Sequence, residues 1–467
     1  MAKKAMKSYA TTNFKELDSG INGEVILPGD VAYEESRKVY NGMIDKKPAV
    51  IVRCRNRQDV ITAVKFASEN QLEVAIRSGG HNGAGLGLVD GGMVIDLSLL
   101  KEIKVDPSKR TATIQAGCLL KEIDQATHQH GLALPSGIIG TTGIGGITLG
   151  GGLGYLSRIG GLTIDNLLEA EIVLASGEVV TASKDNHPDL FWALRGGGGN
   201  FGVVISFKFN LLPIKNVYAG PMFWPIEKSE EVLGFYDKLT KNAPNNLYGF
   251  FAFLIVPPGD PFPEHLRMKR VCGIVWCYTG PMDKAEEVFK PIREFGPPIL
   301  DFVGEIPMPA LNGLFDGLYP PGLHWYWKSH YIKELTSEST RELIRYGSAI
   351  PTVHSTMHLY PIDGKVHETD KNETAWANRG LRWAMVIVGV SPESSDKDKM
   401  IKWARDYYDG MIPYTEGGAY VNFMMEEGEE RIQSAYGKNY DRLVSVKSTY
   451  DPDNFFHINQ NIKPIPT

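Results

Sequence analysis

Between residues 137 and 154 the chain reads GIIGTTGIGGITLGGGLG, and nine of these eighteen positions are glycine. So few side chains cannot build a core. The stretch offers backbone that a large flat or phosphorylated ligand can approach closely, with N–H groups free to meet it. Flexible linkers carry Ser and charges, not the Ile, Leu and Thr interleaved here. A second run, RSGGHNGAGLGLVDGG over 77–92, adds another set of amides and places His81 directly behind two glycines. Two such runs suit a pyrophosphate. The histidine asks for something more.

Two familiar phosphate-binding motifs are excluded. No G-x-x-x-x-G-K-[ST] occurs. Gly197, Gly199 and Gly202 match G-x-G-x-x-G, but the strand-like GVVISFKFNL follows where that motif requires a helix. The net charge is -6 and there is no basic block, which argues against a nucleic-acid partner. No apolar run has the length of a membrane span. The N-terminal lysines precede no apolar segment, so a non-targeting, cytoplasmic start is expected. The four cysteines lack metal spacing and read as buried free thiols, with Cys272 and Cys277 on opposite faces of one strand.

At 467 residues two domains are expected. AVIVRC (49–54), EVAIRS (73–78), GMVIDLS (92–98) and TATIQAG read as strands. The helical DVITAVKFASENQ (59–71) lies among them, and LLKEIDQATHQHG forms a second helix closed by Gly131. EIVLASGEVVTAS reads as a hairpin turning at Ser176-Gly177. From 216 to 435 amphipathic helices separate alternating strands, the pattern of an antiparallel sheet covered by helices. The expected fold is therefore α+β, with units at 1–215 and 216–435. The aromatic, turn-rich segment 436–467 is expected to return to the first unit.

RSGGHN, GTTGIGGITLGGGLGYLSRIGGLTIDN, DLFWALRGGGGNFGVVISFKF and YDPDNFFHINQNIKP together resemble the berberine-bridge-enzyme-like branch of the vanillyl-alcohol-oxidase superfamily. That resemblance implies a two-domain PCMH-type FAD-binding fold and a flavoprotein oxidoreductase. It places FAD against Arg77, Ser78, Gly79, Gly80, His81 and Asn82 of one loop, and Gly137, Thr141, Thr142, Gly143, Gly145, Gly146, Gly150, Gly151 and Gly154 of the other. It adds Gly202, Val203 and Val204, and Gln460 and Asn461 from the tail. It implies a covalent bond from His81 to the flavin 8α-methyl group. Doubly tethered members carry a cysteine where Ile139 stands, so one tether is expected. Thr142 falls where the family controls oxygen access.

Tyr420 in AYVNF is similar to the family's Tyr-x-Asn tyrosine, which helps take the substrate's hydroxyl proton. A free tyrosine near pKa 10 is a poor base, so a cationic neighbour or partner must lower it. VHSTMHLYP is expected to set His354, His358 and Tyr360 on one strand face, lining the substrate cavity and holding no metal. Three departures from the family stand out: Gly83 replaces an aromatic, TAWANR (374–379) replaces TAFPHR, and WAMVIV lacks an expected polar residue. The expected activity is oxidation of a small-molecule C–OH substrate, a sugar, oligosaccharide or other alcohol, with O2 taking the electrons. The rivals are a dehydrogenase of the same fold with another acceptor, and a redox-idle flavin- or carbohydrate-binding protein.

Overall fold

The computed structural model describes residues 12–466. The expectation about the N-terminal start rests largely on residues 1–11, which lie outside the described residues. Strands between 24 and 210 form two sheets. The first, in the order Glu24–Ile26, Val50–Arg53, Met93–Asp96, Val74–Arg77, contains parallel pairs, and the helix Arg57–Glu69 makes the crossover between Val50–Arg53 and Val74–Arg77. Asn56 caps that helix by accepting the Asp59 N–H at 3.0 Å. Val60, Ala63, Val64 and Ala67 bury its apolar stripe. The second sheet is antiparallel throughout, with Val203–Asn210 at its centre.

Local signals behave as their chemistry requires. At the end of Leu120–His128, Gly131 has φ +68°, and the Gly131 and Leu132 N–H groups bond back to His128 and Thr127. That is the Schellman closure expected of glycine there. The hairpin at Ser176-Gly177 forms, and Val203–Asn210 follows the GGGGN segment as a strand.

From residue 216 onward eight strands make one antiparallel sheet, running from Leu300–Asp301 at one edge to His324–Ile332 at the other. Side-chain alternation sorts its residues. Met357 and Leu359 join the core under the helices Ser229–Asn242, Ala285–Glu294, Ser337–Gly347 and Lys397–Met411. Tyr360, Phe250 and Val386 pack on the opposite face, toward the glycine-rich segments. Cys272 and Cys277 divide the same way, and all four cysteines are buried and unpaired.

The C-terminal helix Tyr440–Tyr450 and the tail after it lie on the GGGGN segment. Lys447, fully buried, donates from Nζ to Asp451 (2.6 Å) and to the carbonyls of Asn200 (2.7 Å) and Phe456 (3.0 Å). Asp451 also accepts the Phe455 and Phe456 N–H groups, and Asn200 Oδ1 accepts the Ile462 N–H. A buried pair satisfied this fully holds position. Removing one partner leaves a dry charge, at a cost of about 3–5 kcal/mol. Asp451→Ala is therefore expected to lower unfolding stability by that amount in a urea titration, and a loss below about 1 kcal/mol would contradict this role.

Candidate functional site

The two glycine-rich runs meet face to face. A Cβ on Gly79 would stand 2.3 Å from the Gly143 nitrogen, and one on Gly143 would stand 2.2 Å from the Gly79 nitrogen. These glycines therefore serve loop-to-loop contact as well as ligand approach. The second run is not all loop. Ile144–Gly150 is a short helix whose Ile144 and Ile147 reach the core, so the stretch packs more than its composition suggests.

The runs frame a cavity of about 350 Å³. Arg77, Ser78, Gly79, Gly80, His81, Asn82, Gly137, Thr142, Gly143, Gly145, Gly146, Gly202, Val204 and Gln460 line it, as do Tyr420, His358 and Tyr360. Other residues expected at the cofactor stand back from the wall. Gly150 packs on Asn422, Gly151 on Tyr420 and Trp376, and Gly154 on the Ser136 carbonyl. Val203 is buried in the core, and Asn461 follows the wall residue Gln460. Thr141 sits behind His81, its Oγ1 3.0 Å from Nε2. His354 is not brought to the cavity wall. Thr352 Oγ1 accepts the Ser355 N–H and closes a turn, so the strand begins only at Thr356 and His354 lies in the turn before it.

Sequence reasoning missed an aromatic wall. Tyr40, Tyr319, Trp325, Trp327 and Phe423 line the cavity with Val386 and Val388, which stand in the apolar WAMVIV run. Gly83 abuts Trp327: a Cβ there would lie 2.9 Å from its ring. An aromatic thus reaches this place from a distant strand. TAWANR also has a structural role. Trp376 packs on Gly151 and Gly196, and Arg379 forms a buried double contact with Asp165.

Burial sets the charge state. Among the described residues, the only formally charged one lining the cavity is Arg77, and it is paired with Asp96 at 2.6 Å. Desolvation pushes His81 down to about 3, opposed by a hydrogen bond to the Thr141 backbone, so the imidazole is neutral. His358 is likewise pushed down to about 3, with Nδ1 2.6 Å from the Tyr360 hydroxyl. The Tyr420 oxygen accepts from the Gly152 N–H (2.7 Å) and from Asn422 Nδ2 (3.0 Å). Both donors lower its pKa, but burial outweighs them and pushes it up to about 12. Where a cationic neighbour or partner is expected to lower it, the partners found are neutral donors.

A dinucleotide fits these residues. Gly146 and Gly199 line the cavity, and a Cβ on either meets nothing within 4 Å, so bare backbone faces open space. The Asn459 Oδ1 in the same wall is buried without a partner. No helix among the described residues is long and apolar enough to cross a membrane. None of their His, Cys, Asp and Glu side chains form a group that could hold a metal ion.

A cavity between an α+β glycine-loop unit and a helix-covered antiparallel sheet, with a tyrosine held over it, defines a flavin-binding oxidoreductase. Family models described as FAD binding domain and as berberine and berberine like match residues 48–183 and 419–463. An FAD-linked oxidoreductase of Dictyostelium discoideum is 34% identical, covering 98% of each chain. The crystal structure of 6-hydroxy-D-nicotine oxidase from Arthrobacter nicotinovorans superposes with TM-score 0.84 at 25% identity, covering 95% of this chain and 98% of that one. Xylooligosaccharide oxidase from Myceliophthora thermophila shares the fold, with TM-score 0.84 at 23% identity over 97% and 100% of the two chains. The chain belongs to the berberine-bridge-enzyme-like FAD-linked oxidoreductases, of the PCMH type.

The two kinds of glycine separate experimentally. Gly79→Ala is expected to force the loops apart, lowering both melting temperature and flavin content. Gly146→Ala meets nothing in the protein and suits its helix, so the apoprotein should melt no lower while FAD binding weakens. Equal behaviour of the two variants in a thermal melt would contradict the assignment.

Proposed function

We propose that the chain is an FAD-dependent oxidase that oxidises a C–OH carbon of an uncharged small molecule, tethers its flavin through His81 and returns electrons to O2. FAD, when bound, supplies the acceptor for the hydride. The backbone of the 77–82 and 143–146 segments would hold the pyrophosphate, and the tail around Gln460 would close over the cofactor. The glycine-loop unit comprises residues 1–215 with the returning 436–467, and 216–435 carries the substrate wall. Four buried free thiols support a cytoplasmic setting.

The observation that carries this reading is the placement of Tyr420. Its oxygen receives two hydrogen bonds, so its own proton is free to exchange with a ligand in the cavity. As phenolate it takes the substrate's hydroxyl proton while the carbon gives up hydride. Tyr360 stays protonated because burial raises it, and in the reading proposed its hydroxyl, 2.6 Å from His358 Nδ1, is the donor of that pair. The imidazole then presents Nε2–H to the substrate oxygen. Among the described residues the cavity wall holds no carboxylate to balance an ammonium group, which favours a neutral alcohol, a sugar or another hydroxyl compound, over an amine.

Only ionised Tyr420 accepts the proton, and its pKa lies near 12, so activity should climb with pH. Anaerobic flavin bleaching by substrate is expected to quicken about tenfold per pH unit between 7 and 10. Tyr420→Phe should slow bleaching by about 10²–10⁴ with reoxidation by air unchanged. Asn422→Ala removes a donor, raises the pKa further and should slow bleaching at any fixed pH. A pH-independent rate, or Tyr420→Phe at the parent's rate, would overturn the assignment, and air oxidation without H2O2 would point to another acceptor.

A further inference from the structure

The Tyr40 ring stacks on the His81 imidazole, with centroids 3.8 Å apart and planes 17° from parallel. Trp325 stacks in turn on Tyr40 at 5.0 Å. Tyr40 cannot swing away. Its hydroxyl donates to the Tyr319 carbonyl at 2.8 Å, its N–H to the Gly80 carbonyl, and its own carbonyl accepts the Gly322 N–H. The adjacent Asn41 donates to the carbonyls of Gly83 and Trp325, locking the same strand to the histidine loop. At the ring's edge, Thr141 Oγ1 lies 3.0 Å from Nε2, while Thr142 Oγ1 is 3.4 Å from Nδ1, beyond good hydrogen-bonding distance.

We propose that Tyr40 and Thr141 are positioning residues for the bond between His81 and the flavin: Tyr40 fixes the plane of the imidazole, and Thr141 engages Nε2 so that Nδ1 meets the 8α-carbon. This rests on the tether proposed above. In the tautomer this requires, Nε2 carries the proton and donates to Thr141, which leaves the free lone pair on Nδ1. As the Nδ1–C bond forms, one methyl C–H bond breaks and its electron pair passes into the flavin ring system. The methyl proton and the Nε2 proton are released, and O2 takes up both electrons and both protons as H2O2. A ring free to rotate would present either nitrogen, at any angle. Misplacement by about 1 Å costs on the order of 10²-fold in rate.

The test follows tethering itself. Apoprotein made under riboflavin limitation is mixed with FAD in air, and acid-stable flavin is measured over time beside total bound flavin. Tyr40→Phe keeps the stacked ring and the backbone bonds and loses only the Tyr319 contact, so it should tether far faster than Tyr40→Leu. Tyr40→Leu should bind FAD but tether about 10²-fold more slowly. Thr141→Val should slow tethering similarly, with Thr141→Ser restoring it, and this pair decides the matter if Tyr40→Leu fails to fold. Tethering by Tyr40→Leu and Thr141→Val at the parent's rate would overturn the proposal. So would losses of total and covalent flavin in equal proportion, which mark a purely structural role. If the parent itself releases all its flavin in acid, the tether has failed, and the positioning roles fall with it before any variant is compared.

Discussion

Two chain segments cross at Gly79 and Gly143 with no room for a Cβ on either. The rest of the site depends on that crossing. It brings the His81 loop and the 137–154 run into one wall, so their amides converge on the same space. Nothing bulkier permits the approach, because each side chain would meet the other segment's backbone nitrogen. Among the described residues the one charged wall side chain, Arg77, is already paired to Asp96, so in the proposed reading convergent N–H dipoles are what this wall offers a diphosphate.

Buried ionic contacts fasten other segments around the site. Lys447 and Asp451 bind the tail to Asn200, and Arg379 with Asp165 ties the TAWANR segment to the chain beyond the second glycine run. Trp376 fills the space that Gly151 and Gly196 leave. Both pairs are buried, and the Lys447 ammonium meets three oxygens, so they fix geometry more than they add net stability. Tyr40 and Asn41 perform the corresponding task on the substrate side, where the 324–332 strand meets the histidine loop.

Much of this was legible in the sequence because it is local. Period-two alternation put His358 and Tyr360 on one face, and Gly131 closed its helix as glycine does. The glycine runs announced a backbone-lined site. What stayed hidden comes from distant segments. Tyr40, which stacks on His81, and Tyr319, Trp325 and Trp327 in the same cavity wall come from positions far from 81 along the chain, and no local pattern marks them. His354 was misplaced because period two was carried one step past the strand, into a turn that Thr352 closes with Ser355. The partners that lower Tyr420 are a backbone amide and an Asn, donors that folding supplies and sequence spacing does not show.

The central claim is that the flavin sits at this crossing and is joined to His81. Trypsin cuts after Arg77 and Lys101, so His81 lies in the single peptide Ser78–Lys101. Digestion of the acid-precipitated protein, followed by mass spectrometry, should find that peptide heavier by FAD less two hydrogens and fluorescent. An unmodified Ser78–Lys101 peptide, with all flavin left in the acid supernatant, would contradict the claim.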